Sequence, residues 1–306
     1  MEIAGLVFEK LVMLFSLMGL GLYLAKRDIL TPDVTKQLSK LLTSFVAPSL
    51  ILSTFMQTEF SVEKLRLFGL TILAALIIML VRIAFVTFIF KKRPAIDHYA
   101  SIFANIGFLG TPLVLAVGGS EAVFYISGFV IVNQTLQWTY GLYLLTRDKS
   151  TISLKSALLN PSFLATLMGL FIFCIPFALP SFLQDTMASF AQLNTPLSTV
   201  VLGTYFYGVH WREIFLYRPA YVTVLMRLVV TCLISLGMIW AFRLTDFNVN
   251  LALTIAVSTP TAMNTALFSQ VYGGDYQHGS RMVLLTTLFS LISLPLMIAL
   301  AGFLYL

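Results

Sequence analysis

Residues 105–112 read Asn-Ile-Gly-Phe-Leu-Gly-Thr-Pro, and residues 258–264 read Ser-Thr-Pro-Thr-Ala-Met-Asn. Each lies in the middle of a long apolar run, and that placement decides the fold. Glycine and proline together interrupt a helix. Proline suits the first turn of a helix, where its missing N–H would have no partner anyway. Threonine just before it is a good N-cap. Thr111-Pro112 and Thr259-Pro260 are therefore expected to start new half-helices deep in a bilayer.

The surrounding composition calls for that bilayer. Of 306 residues, 58% are hydrophobic and 10% charged, against about 25% charged in soluble domains. The mean hydropathy is +0.92. Continuous apolar stretches of about 20 residues cross the hydrocarbon core as helices, because each backbone polar group there needs an internal partner. The stretches do not alternate, which argues against a β-barrel. Ten spans are predicted, at about 5–25, 38–56, 67–90, 99–117, 122–145, 163–179, 190–209, 220–242, 250–272 and 282–304.

The net charge of +6 does not indicate nucleic acid, since the basic residues sit in short loops without an aromatic-basic patch. Lys26, Arg27, Lys36, Lys40, Lys91, Lys92, Arg93, Arg147, Lys149, Lys155, Arg212, Arg218 and Arg281 fall on one side of the ten spans. Only Lys64, Arg66 and Arg243 fall on the other, while Lys10, Arg82 and Arg227 lie within spans. The positive-inside rule then puts the first group in the cytoplasm and both termini outside it, in the cytoplasmic (inner) membrane of a bacterium. The N-terminus lacks a basic leader and a cleavage site, so the first run reads as a retained helix. Cys174 and Cys232 read as buried core residues; no redox or metal pattern is present and no cofactor is expected.

Prolines recur at one offset: Pro32 and Pro180, Pro48 and Pro196, Pro112 and Pro260 are each 148 residues apart. Five spans per half is an odd number, so the second half enters the membrane upside down. The expected architecture is all-α, with ten transmembrane helices as two inverted five-helix repeats, 1–147 and 148–306, an arrangement common among secondary transporters. Inversion would bring two half-helix N-termini together from opposite sides. Their free N–H groups and positive dipole ends favour an anion, especially a carboxylate. Asn105, Thr111, Ser258, Thr261 and Asn264 add hydrogen-bonding groups, and Gly107 and Gly110 allow close backbone approach.

Intramembrane ionisable residues are functional candidates. Among the carboxylates only Glu9 falls clearly within a span, next to Lys10, so no buried acidic pair is expected. Arg82 and Arg227 lie deeper, and either attract the anion or pair with helix carbonyls. Asn133, Gln134 and Gln137 either line the pathway or tie helices together. His98, His210 and His278 are expected in solvated loops. Zinc-protease, nucleophile-elbow and paired-aspartate patterns are absent, which speaks against an intramembrane enzyme. Cation-coupled symport and a transporter-like sensor remain as alternatives.

With these motifs in hand, the chain resembles the auxin efflux carrier family over essentially its whole length. The resemblance is carried by NIGFLGTPL followed by AVGG and an acidic residue, by VAPSLILS in the second span, and by STPTAMNTALFSQVYGGD before the last. It implies a bile-acid-symporter type of fold, with spans 1, 2, 6 and 7 as a scaffold. Spans 3–5 and 8–10 would form a mobile transport domain in which spans four and nine cross at Pro112 and Pro260. It further implies a permease for small organic acids, elevator-like alternating access, a homodimer through the scaffold, and Asn105 as a contact of the substrate carboxylate, with Asn264 as its looser counterpart.

Overall fold

The computed structural model describes residues 2–148, 150, 152, 155, 158–175, 180–272 and 275–306. Lys149, the end of the sixth predicted span and the Gly273-Gly274 pair lie outside them. Among the described residues the fold is helical throughout, with one isolated β-bridge, between Ala104 and Thr261. The helices are α1 (Glu2–Lys26), α2 (Pro32–Gln57), α3 (Val62–Ile89), α4 (Ala95–Ile102), α5 (Ile106–Thr146), α6 (Pro161–Cys174) and α7 (Ser181–Gln192). They continue as α8 (Asn194–Thr204), α9 (Trp211–Leu216), α10 (Arg218–Phe242), α11 (Phe247–Ser258), α12 (Asn264–Val271) and α13 (Tyr276–Leu304). Six of them (α1, α2, α3, α5, α10 and α13) are long and apolar enough to cross a membrane by themselves, as a multi-pass membrane protein requires.

Polar side chains fix the helix starts by accepting otherwise orphaned first-turn N–H groups. Ser61 caps α3 through Lys64 N–H (3.0 Å), and Asp246 caps α11 through Val249 N–H (2.9 Å). Asp275 caps α13 through His278 N–H (2.9 Å). Inside α5 the chain turns at Gly119, with φ 66° and ψ −164°, a conformation essentially restricted to glycine. This turn separates the segments expected as the fourth and fifth spans. A Cβ at Gly119 would meet nothing within 4 Å, so Gly119→Ala is a pure test of backbone strain. It is expected to cost about 1–3 kcal/mol, read as a lowered unfolding midpoint in detergent.

An aromatic core of Phe55, Phe68, Phe124 and Phe173 joins α2, α3, α5 and α6, with ring centroids 4.7–6.4 Å apart. Elsewhere α1 and α8 cross with backbone against backbone. A Cβ on Gly203 would lie 2.0 Å from Met18 O, and one on Gly21 would lie 2.0 Å from Val200 O. Small residues at a helix crossing allow this approach and the dispersion contacts it brings.

Several expectations are corrected. His98 and His278 are not in solvated loops: both are buried, His98 within α4 and His278 in the first turn of α13. His98 Nε2 lies 2.8 Å from Phe90 O. His210, by contrast, is exposed. A buried carboxylate does exist, because α4 begins at Ala95 and draws Asp97 inside. Asp97 pairs with Arg93 (3.2 Å) and with His278 Nε2. Cys174 is exposed rather than core, since it ends a short helix whose Phe171 and Met168 are also exposed; Cys232 is buried as expected. Glu9 pairs with Lys10 at 3.7 Å and is itself exposed.

Candidate functional site

The two interrupted segments meet. The chain leaves α4 at Ile102, runs extended through Phe103 and turns at Asn105 (φ −81°, ψ 65°) before α5 begins. It leaves α11 at Ser258, runs extended through Thr259 (φ −62°, ψ 153°) and re-enters a helix at Asn264. Across the gap Asn105 N–H donates to Pro260 O (2.8 Å) and Ala262 N–H donates to Phe103 O (3.0 Å). This reciprocal pair satisfies four backbone groups that neither helix could satisfy alone.

Both proline steps are expected starts of half-helices, and both are corrected in position. The first half-helix starts at Asn105, not at Thr111. Asn105 Oδ1 accepts from Phe108 N–H at 3.3 Å. Thr111-Pro112 sits one turn further on, inside α5. There the turn Ile106–Gly110 is widened to π geometry, with Gly110 N–H on Asn105 O and Thr111 N–H on Ile106 O. A widened turn accommodates a proline ring that would strike the carbonyl four residues back. In the second segment Thr259 closes α11 rather than capping α12, and its hydroxyl turns back to Ala256 O (3.0 Å). The residue before a proline is driven out of α geometry, so the Thr259-Pro260 step ends a helix.

Neighbouring helices lock the gap. From α5, Asn133 clamps Ala104 by accepting its N–H (3.4 Å) and donating to its O (3.2 Å). One turn later Gln137 Oε1 accepts from Asn264 Nδ2 (2.8 Å) and from Tyr99 O–H (3.0 Å). Both amides therefore tie helices together. Thr261 bridges α13 and α4, its N–H donating to Thr286 Oγ1 (3.1 Å) and its hydroxyl to Ala100 O (2.8 Å). Thr286 and Tyr99 carry no signal in the sequence that sets them apart from other polar residues in apolar runs. Ser258 and Thr111 are buried beside the gap, and Gln134 buries an Oε1 without a partner among the described residues.

The glycines divide. A Cβ on Gly110 would lie 3.0 Å from Thr259 Cγ2, so its lack of a side chain lets the two segments pass. Gly107 is exposed and a Cβ there would meet nothing within 4 Å, which leaves open space over the first turn of α5. Beside it, Asn105 is 3% exposed and its Nδ2 has no partner among the described residues. Buried donors are nearly always paired, so this amide is one that a guest would satisfy.

Arg82 on α3 and Arg227 on α10 both reach the C-terminal end of α11, and both are buried. Arg82 Nη2 donates to Val257 O (2.8 Å) and Arg227 Nη2 to Thr259 O (2.5 Å). They cap carbonyls that the break before Pro260 leaves orphaned, where cations suit the helix dipole. The two arginines thus converge on one helix end. Among the described residues neither has a carboxylate within 4.0 Å.

Comparison with known proteins adds to this geometry. The sequence profile described as "Membrane transport protein" matches residues 6–153 and 145–298. A protein of Methanothermobacter thermautotrophicus described as an uncharacterized transporter is 25% identical over 310 residues, covering 94% of this chain and 96% of that one. With the profile spanning nearly all of the chain, and with the interrupted helices where the family motif stands, the protein belongs to the membrane transport protein family of the auxin efflux carrier type and is a membrane transporter.

Proposed function

We propose that this transporter carries a small organic anion, such as a mono- or dicarboxylate, across the cytoplasmic membrane, and that the anion binds where α4–α5 and α11–α12 cross. The observation that carries the reading is the reciprocal pair Asn105–Pro260 and Ala262–Phe103 beside the unpartnered Nδ2 of Asn105. It brings the start of α5 beside the stretch that leads into α12, where helix starts favour negative charge.

The architecture proposed around this site has ten spans, in two inverted repeats over 1–147 and 148–306. In support, Pro32 and Pro180 stand at the starts of α2 and α7, and each of Pro48, Pro196, Pro112 and Pro260 lies close behind a widened turn or a helix break. The helices α1, α2 and α6–α8 would be the scaffold and dimer contact. The remainder would move as an elevator, with Gly107 facing the substrate path. Moving a monoanion outward down a negative-inside potential releases about 2.3 kcal/mol per 100 mV, enough to drive export without a coupling ion. A second reading, proton symport, draws on the buried Asp97–His278 pair.

Proteoliposomes loaded with labelled mono- and dicarboxylates decide between them. Saturable flux that follows an imposed potential at zero pH gradient supports uniport, and flux that follows a pH gradient at zero potential supports symport. No flux of any carboxylate above protein-free liposomes, with flux of labelled choline instead, would overturn the anion reading.

A further inference from the structure

Arg82 and Arg227 hold more positive charge than their surroundings answer. They are 1% and 0% exposed, and both Nη2 atoms lie within 3.4 Å of the same oxygen, Val257 O. The acceptors around them are few and already used. Arg82 also donates through Nε to Ser235 Oγ (2.8 Å), while Ser235 and Thr231 direct their own hydroxyl protons to Thr231 O and Arg227 O. Cys232 Sγ lies 3.2 Å from Val257 O and donates to it, so it sits there as a thiol and supplies no negative charge.

Arg82 Nη1, Arg227 Nε and Arg227 Nη1 are left buried without an acceptor among the described residues. The dipole of one helix end offers roughly half a negative charge, far less than two guanidinium groups require. A buried charge without a counter-charge costs several kcal/mol.

We propose that Arg82 Nη1 and one of the free N–H groups of Arg227 hold a resident monatomic anion of chloride size, at a site separate from the crossing where the organic anion is carried. The enclosure selects for size. Both arginines are buried, at 1% and 0% exposure, so only a small ion fits beside them, whereas Gly107 is exposed with open space over it. A halide accepts several N–H donors in any direction and needs no planar pocket. Its charge would keep α3 and α10 drawn onto the end of α11, and so fix Pro260 for its bond with Asn105.

The test is equilibrium dialysis of purified protein with ³⁶Cl⁻, alongside thermal unfolding in chloride against gluconate at equal ionic strength. The expected result is one exchangeable chloride per chain and a midpoint that climbs about 3 °C per tenfold rise in chloride above Kd. Arg227→Gln and Arg82→Gln, which remove the guanidinium charge while keeping a polar side chain, should lose at least tenfold in chloride affinity. Where a variant does not fold, the wild-type dialysis and the chloride–gluconate difference stand alone. No retained ³⁶Cl⁻ with equal midpoints in both salts would overturn the proposal. So would displacement of ³⁶Cl⁻ by millimolar acetate, which would assign the arginines to carboxylate recognition.

Discussion

Asn105→Asp should weaken carboxylate binding and flux by about 100-fold or more while leaving the fold intact. The side chain has two jobs at the crossing. Its Oδ1 caps α5 through Phe108 N–H, and its buried Nδ2 faces no partner among the described residues. Aspartate keeps the cap, and an anionic cap suits a helix N-terminus. It replaces the free donor, however, with a fixed negative oxygen at the spot a carboxylate would occupy. Losing one charge-assisted hydrogen bond costs about 1.5–3 kcal/mol, and repulsion in a water-poor site adds to it. Asn105→Ala loses the donor and the cap but adds no charge, so it should fall between, at about 10- to 100-fold. The order wild type, alanine, aspartate in substrate affinity is the signature of an anion. A site built for a cation would reverse it and make the aspartate variant the tightest binder.

Gly203→Ala should destabilise the protein by about 3 kcal/mol or more, although it adds one methyl group to a helix. The new Cβ would sit 2.0 Å from Met18 O, with Met18 C at 2.7 Å, and backbone atoms cannot rotate away as a side chain would. Relief requires α1 and α8 to separate by more than 1 Å, which forfeits the dispersion contacts along their crossing. Gly21→Ala meets Val200 O in the same way. The two changes strain one interface, so the double variant should cost less than the sum of the singles. Gly19, two residues from Gly21 on α1, has nothing within 4 Å of its would-be Cβ. There the same substitution should be neutral or stabilise by up to about 1 kcal/mol through helix propensity. Unfolding midpoints in denaturing detergent measure all four variants; equal effects at positions 19 and 203 would contradict the crossing described.

Much of this was legible in the sequence because membrane folding leaves coarse marks. Apolar runs of span length announced the helices, and glycine and proline inside two of them announced the interruptions. The exact break points were not legible. Proline carries two opposite meanings, helix start and helix end, and only tertiary context chooses. In the first segment Asn105 supplies a cap six residues earlier and a π turn absorbs Pro112. In the second, Arg82 and Arg227 stabilise a helix end just before Pro260. Asp97 and His278 were missed for a related reason. Each sits at the polar fringe of an apolar run and looks solvated until α4 and α13 bring the two together. Asn133 and Gln137 were recognisable as an interior polar pair, but the clamp on Ala104 is a contact between residues 29 apart, which local pattern does not encode.

The most direct measurement is dipolar recoupling by solid-state NMR between the ¹³C carboxylate of a substrate identified by the flux panel and ¹⁵N-labelled asparagine side chains and glycine amides. If the crossing binds the anion, the carboxylate carbon will dephase against an asparagine side-chain nitrogen at under about 4.5 Å, the separation a direct hydrogen bond imposes. That contact will vanish in Asn105→Asp. A bound, transported carboxylate that shows no such dephasing, or keeps it unchanged in the variant, would place the substrate elsewhere and contradict the account.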